Sequence, residues 1–313
     1  ITVHVCFSGG GFGRRLFPDV ATEAAMLSKQ LGKPVKLIWS REDDTTQGPF
    51  RPATFSFFKA GLDADGKPVA FQHKVVSPSI MDYLYKHDPT KPAGEMMEAI
   101  SDMAYEIPNV DNRYVFAENH LPLGWWRAVT STTTAFAHEC FVDELAAKAG
   151  VDPLEFRLRQ LTKPSPVKAI LEALNEKSGW STPLAAGKGR GVAVWEFFAG
   201  ACGQVVEVSR DGAGKLKIDK VTAVIDLGTV VNPDTVRAQV EGAVCMALTA
   251  ATKDAITFEN GAAQQRNFDA YRMTKLAEMP PVEVHILTGD PKMKGVGEPG
   301  LPPIGRCAHG NAP

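Results

Sequence analysis

The chain has 313 residues, 44% apolar and 22% charged, the composition of an ordinary soluble protein and length enough for about two domains with a sizeable core. Its 34 Lys plus Arg against 36 Asp plus Glu give a net charge of -2, which excludes a generic nucleic-acid binder, since phosphate affinity needs a clear basic excess. No run approaches the ~18 uninterrupted apolar residues of a membrane span, and the five cysteines (Cys6, Cys140, Cys202, Cys245, Cys307) contain no C-x-x-C pair, so spacing offers no disulfide framework and no thiolate metal or iron–sulfur site.

The chain opens at Ile1, not Met, directly in the alternation Ile1, Val3, Val5, Phe7 of a half-buried strand, as a cut through a longer protein would. No basic stretch leads into an apolar one there, and the compartment stays open. Ser8-Gly9-Gly10-Gly11-Phe12-Gly13-Arg14-Arg15 follows, then Val20, Ala24, Leu27 and Leu31 at helical spacing, closed by Gly32-Lys33-Pro34. Residues 35–39 read as a strand, so residues 1–39 are expected to form a strand, glycine loop, helix, strand unit of the βαβ kind. Residues 54–61 and 69–77 are expected to pair as a hairpin around Asp63-Ala64-Asp65-Gly66. From 79 to 108, frequent Pro and Gly and weak periodicity predict long loops. Ala137, Phe141, Leu145 and Ala149 mark a helix ended by Gly150, and Asp152-Pro153 starts the next. Pro164, Pro166, Pro183 and the run Gly187-Lys188-Gly189-Arg190-Gly191 read as the approach to a second domain. Strands over 204–209 and 218–226, a helix from Asn232-Pro233-Asp234 and a strand over 282–287 complete a mixed α and β chain without solenoid repeats.

Three strings carry candidate chemistry. The glycine loop offers backbone N–H groups and a helix end to a phosphate, with Arg14 and Arg15 adding charge. It lacks the third glycine of the dinucleotide fingerprint and the Gly-Lys-Ser/Thr of a phosphate loop, so a tight strand-to-helix turn and a cofactor cradle both stay open. Gly124-Trp125-Trp126-Arg127 sets a guanidinium beside two indoles, as a cleft lining or an interface plug. In Lys294-Gly295-Val296-Gly297-Glu298-Pro299-Gly300 a lone carboxylate sits on backbone that permits close approach, as a proton acceptor or as part of a surface turn. His138-Glu139 is no zinc-protease motif, because Val142 stands where the second His belongs, and no Gly-x-Ser-x-Gly elbow occurs.

Taken in order, the strings Gly9-Gly10-Gly11-Phe12-Gly13, Trp126-Arg127 before Glu139-x-x-x-Asp143-Glu144-Leu145-Ala146, Asp226-x-Gly228-x-x-x-Asn232-Pro233 with Gln239 and Gly242, and Gly295-Val296-Gly297-Glu298 resemble the large molybdenum-binding subunit of the xanthine oxidase and aldehyde oxidase family. Gly13-Arg14-Arg15-Leu16, Trp39-Ser40-Arg41-Glu42-Asp43-Asp44 and Gly124-Trp125-Trp126-Arg127 most resemble its isoquinoline 1-oxidoreductase beta branch. The resemblance covers nearly the whole chain, to about Pro303, after which Gly305-Arg306-Cys307-Ala308-His309 departs from the family pattern.

The resemblance implies a multi-lobed molybdopterin-binding fold, incomplete at both ends: the latter part of a first lobe over 1–162, a connecting segment over 163–190 and a truncated second lobe over 191–313. It implies Glu298 as catalytic base, Gly10, Gly11, Phe12, Gly13, Arg14, Arg127 and Gln239 at the cofactor, and Trp125 and Trp126 along the substrate. Molybdenum would be held by the pterin dithiolene of a cytosine dinucleotide, without an amino-acid ligand. The implied activity is hydroxylation of an electron-poor sp² carbon, in an N-heteroaromatic ring or an aldehyde, with water as oxygen source. Electrons would pass to a [2Fe–2S] small subunit and on to a cytochrome c or another acceptor. The isolated chain is expected to be inactive. Against this stand an inert fragment or assembly module that keeps the fold, and a nicotinamide or flavin oxidoreductase, which the failed glycine spacing disfavours.

Overall fold

The computed structural model describes residues 4–85, 88, 90–91, 93–101, 103–198, 200–289, 292 and 294–309. In chain order its elements are α1 (Asp19–Leu31), α2 (Arg41–Gln47), β1 (Phe55–Leu62), β2 (Pro68–Ser77), α3 (Ile80–Tyr85), α4 (Gly94–Ser101), β3 (Asn109–Phe116), α5 (Ser131–Ala149), α6 (Pro153–Arg159) and α7 (Pro166–Lys177). They continue with β4 (Lys188–Phe197), β5 (Gly200–Arg210), β6 (Leu216–Asp226), α8 (Pro233–Thr252), the two-residue strands β7 (Phe258–Glu259) and β8 (Ala262–Ala263), β9 (Val282–Leu287) and α9 (Pro302–His309). Among the described residues no helix is long and apolar enough to cross a membrane.

A first sheet has the order β1-β2-β3, with β1 antiparallel and β3 parallel to β2. Its hairpin turns where expected: Asp63 Oδ1 accepts from the N–H of Asp65 at 3.0 Å and of Lys67 at 2.8 Å, and Gly66 takes a φ of 75° at little steric cost. A second sheet, β4-β5-β6-β9, has β9 parallel to β6. It is apolar on both faces. Ala193, Trp195 and Phe197 of β4 point to one core with Val240, Val244 and Leu248 of α8, while Val192 and Val194 point to another with Leu145 of α5 and Ile170 and Leu174 of α7, as the twofold alternation of a strand requires. Gly203 makes the second contact close, since a Cβ there would stand 2.6 Å from Ile170 Cγ2 and 2.7 Å from Leu174 Cδ1.

Beneath this sheet lies a buried ionic network. Arg157, fully buried, donates to Glu139 Oε2 at 2.9 Å, to Asp143 Oδ1 at 2.5 Å and to the carbonyl of Pro153 at 3.0 Å. Tyr105 Oη donates to Glu139 Oε1 at 2.9 Å, and the Val194 N–H to Glu139 Oε2 at 3.2 Å. The Glu139 and Asp143 of the sequence motif therefore fasten α5 to α6 and to β4.

The βαβ reading of residues 1–39 is corrected. Residues 1–3 lie outside the described residues, residues 4–8 form no strand, and neither do residues 35–39. Helix α1 is present, with Gly32 left-handed at its C-terminus, but no strand pairs with either flank among the described residues, and alternation without a partner leaves the backbone hydrogen bonds unmade. Val5, Phe7, Val20, Met26, Leu31 and Ile38 consequently stay exposed. The stretch read as long loops holds α3, α4 and, just beyond it, β3, with Met96 and Ile100 of α4 buried against Val75. The connecting segment over 163–190 contains α7. Its Val167, Ile170, Leu171 and Leu174 are buried and contribute roughly 1.5–3 kcal/mol each, as an upper bound.

Candidate functional site

Segments far apart in sequence line one cavity of about 600 Å³: residues 9–13 of the glycine loop with Arg15 and Leu16, Trp125, Trp126, Arg127 and Val129 ahead of α5, Gln239 on α8, and Gly297 with Glu298. Phe198, in the turn from β4 to β5, closes the wall.

The glycine loop reaches this cavity by close approach. Gly13 has a φ of 93°, and a Cβ on it would stand 2.4 Å from the Trp125 carbonyl oxygen, so only glycine fits. At Gly10 a Cβ would meet the Phe12 ring at 2.8 Å. The N–H groups of Gly11, Phe12 and Gly13 have no partner among the described residues, which leaves three backbone donors beside the cavity. The Trp-Trp segment is held from behind: Phe50 N donates to Pro122 O at 2.8 Å, Gly124 N to Phe50 O at 3.0 Å, and the Phe17 ring lies 5.1 Å from Trp125.

Arg127, 5% exposed, fastens three segments together. Its Nε donates to Gly297 O at 2.5 Å, and its Nη2 to Gln239 O at 2.9 Å and Gln239 Oε1 at 3.1 Å. Because a guanidinium only donates, the Gln239 oxygen must face it, and the amide nitrogen, without a partner among the described residues, remains a donor for the cavity. Burial lowers the pKa of Arg127, against the attraction of Glu298. Glu298 is half-buried; its Oε1 accepts from the N–H of Ala128 at 3.0 Å, and its Oε2 has no partner among the described residues. Asn232 and Pro233 act one step back. The Asn232 side chain accepts from the N–H groups of Asp234 and Thr235, and Pro233 sits at the first turn, which starts α8 and directs Gln239 inward.

The structure thus gathers Gly10, Gly11, Phe12, Gly13, Trp125, Trp126, Arg127, Gln239 and Glu298 around one space. Arg14 stands apart: its guanidinium is bonded to both oxygens of Asp19 at 2.9 and 2.7 Å, and it borders a neighbouring cavity. Arg15, exposed and bonded to Ser8 Oγ at 2.7 Å, is the arginine that lines the first. Sequence reasoning also missed Val129 and Phe198. Both have positive φ, 45° and 49°, as do Phe12 at 52° and Ala128 at 67°, conformations uncommon for such residues and typical of functional sites. No residue pattern announces them. As a chemical unit the cavity combines backbone donors for an anion, an amide donor, apolar walls and one carboxylate able to accept a proton.

Residues 1–161 match the family model of a molybdopterin cofactor-binding domain, and residues 131–280 match a second molybdopterin cofactor-binding model. The chain is 31% identical to the isoquinoline 1-oxidoreductase subunit beta of Brevundimonas diminuta, over 97% of this chain and 40% of that protein. It is 32% identical to the membrane-bound aldehyde dehydrogenase [pyrroloquinoline-quinone] of Gluconacetobacter polyoxogenes, over 97% of this chain and 43% of that protein. Quinoline 2-oxidoreductase from Pseudomonas putida 86 superposes on 97% of this chain and 65% of its own with a TM-score of 0.81 at 14% identity, a likeness of fold. The chain spans less than half the length of these two relatives. It belongs to the molybdopterin cofactor-binding domain family.

Proposed function

We propose that the chain is the cofactor-binding part of an enzyme that hydroxylates an electron-poor sp² carbon, in an N-heteroaromatic ring of the isoquinoline kind or in an aldehyde, with water as oxygen source. The observation that carries this reading is the meeting of the glycine loop, Arg127, Gln239 and Glu298 on one cavity, although Arg127 and Glu298 are about 170 residues apart. In the proposed division of the chain, residues 1–162 supply the loop, the indoles and Arg127, and residues 191–313 supply Gln239 and Glu298.

The residues fit a molybdopterin, and the form proposed for it is the cytosine dinucleotide. Three unpaired backbone N–H groups and the free Gln239 amide are donors for its phosphates and pterin edges, and the glycines keep side chains out of the space. When bound, the group supplies the two-electron oxidation, at a metal held by its own sulfurs. Glu298 takes the proton: the Ala128 N–H fixes one carboxylate oxygen and leaves the other open to the cavity. Arg127 positions it through Gly297. Trp125 and Trp126 stack a flat substrate, and Phe12 and Phe198 exclude water. Electrons leave through a [2Fe–2S] small subunit, with a cytochrome c or another acceptor beyond it; the designation "subunit beta" of one relative supports such a division. The quinone in the name of the other belongs to that protein, whereas both stretches matched here are molybdopterin-binding.

Glu298→Gln in the complete enzyme is the test. Retained molybdenum with lost turnover is expected; full activity with glutamine sinks the assignment. A complete enzyme without molybdenum or extractable cytosine nucleotide would make the chain an inert module instead.

A further inference from the structure

Arg51, between α2 and β1, holds its guanidinium 4.3 Å from the centre of the Trp126 ring. Among the described residues it makes no hydrogen bond and no ion pair, although it is half-buried, and burial lowers its pKa against the longer-range attraction of Asp254 and Tyr271. A guanidinium has five N–H donors, and a charge withdrawn from water is ordinarily paired. Arg51 therefore lacks an acceptor.

It borders two cavities. One, shared with Trp125 and Trp126, also contains Asp44 and Asp254, the latter bonded to Tyr271 Oη at 2.8 Å. The other, of about 470 Å³, lies between β1, the start of α5, the end of α8 and α9, and no acidic residue lines it. Thr54 enters it from the same strand lead as Arg51, with a hydroxyl unpaired among the described residues, and Phe136, Ala247 and Leu301 form apolar walls. The hydroxyls of Ser56 and Thr133 in the same lining already have partners, His73 Nε2 at 3.1 Å and Thr130 O at 3.1 Å. Charge decides between the cavities. In the first, two aspartates stand against Arg51 and an Arg14 already bonded to Asp19, so an anion finds no net positive charge, whereas in the second it meets Arg51 and hydroxyls with no carboxylate.

We propose that this second cavity binds a small organic monocarboxylate, its carboxylate on Arg51 and Thr54 and its apolar body against Phe136, Ala247 and Leu301. The volume suits a ligand of benzoate size or somewhat larger. Trp126 links the site to the cofactor cavity, since it carries Arg51 on its ring and also lines that cavity.

The experiment is titration calorimetry of the full chain with benzoate, with benzamide as a neutral control of the same shape. Saturable benzoate binding is expected, at least about tenfold tighter than benzamide, with loss of about tenfold or more in Arg51→Gln and about threefold in Thr54→Val. Arg51→Lys keeps the charge and should recover part of the affinity. Equal binding of benzoate and benzamide, unchanged affinity in a folded Arg51→Gln, or inorganic phosphate binding as tightly as benzoate would each overturn the proposal. Should Arg51→Gln fail to fold, unchanged benzoate affinity in Thr54→Val decides against it as well. No arm needs the molybdenum cofactor, so failure here leaves the proposed catalytic function standing.

Discussion

Arg157 and Arg127 are 0% and 5% exposed, and their surroundings differ in kind. Arg157 is bonded to two carboxylates, and Tyr105 and a backbone N–H further occupy Glu139. Arg127 is bonded to two carbonyls and an amide oxygen, while its nearest carboxylate, Glu298, is bonded elsewhere and keeps an oxygen open. A charge-compensated network fastens helices and has little capacity left over. A cation bonded only to neutral oxygens, beside a half-open carboxylate, still has charge to offer a ligand. The contrast separates architecture from chemistry more reliably than burial does.

The sharpest way to break the comparison is Arg157→Met, which strands Glu139 and Asp143 in the core. A loss of about 3–5 kcal/mol in urea unfolding is expected, and a loss below about 1 kcal/mol would show the network to be dispensable. Acid probes the same pair. Burial pushes the Glu139 carboxyl up, but the Arg157 guanidinium overrides it and holds the group down to about 2 against an ordinary 4.5. A carboxylate with a depressed folded pKa contributes stability in full above its unfolded value and loses it as pH falls through the folded one. The wild-type unfolding midpoint should therefore fall between about pH 4.5 and 2, and this component should vanish in Arg157→Met.

Arg127→Met comes next, with roughly 1–3 kcal/mol lost as the Gly297 and Gln239 carbonyls lose their donor. The informative readout is molybdenum content, expected to collapse here and to persist in any Arg157 variant that folds. Arg127→Lys should recover little, since an ammonium cannot span the forked acceptors. The smallest effect belongs to Glu298→Gln. The amide oxygen still accepts from Ala128, so thermal unfolding should move stability by no more than about 0.5 kcal/mol while turnover is lost. A large destabilisation would make Glu298 a structural residue like Glu139.

Much of this was legible where local chemistry decides. The Asp63-to-Gly66 turn, Gly150 as a left-handed C-cap, Asp152-Pro153 and Asn232-Pro233 as helix starts, and the strand over 282–287 all stand where residue pattern puts them. Alternation misled at residues 4–8 and 35–39, because a strand needs a partner that no local pattern supplies. Pro166 hid α7: read as a breaker, it occupies the first turn behind the Ser165 cap. Gly187, Gly189 and Gly191 hid β4, whose start they accompany. At the site, candidate residues from strings up to nearly 300 positions apart came together, but no pattern distinguished Arg15 from Arg14. The distinction is made by Asp19, which takes Arg14 out of the cavity.

The positive-φ wall of Phe12, Val129 and Phe198 bears on how this chain can change. At each position glycine would relieve backbone strain, at a cost of order 1–3 kcal/mol per residue where it is unrelieved, and would remove the side chain that shapes the cavity. Here a search for greater thermal robustness and a search for better chemistry pull in opposite directions. A directed-evolution campaign that rewarded heat tolerance alone would be drawn to these three positions and would relax the pocket as it succeeded.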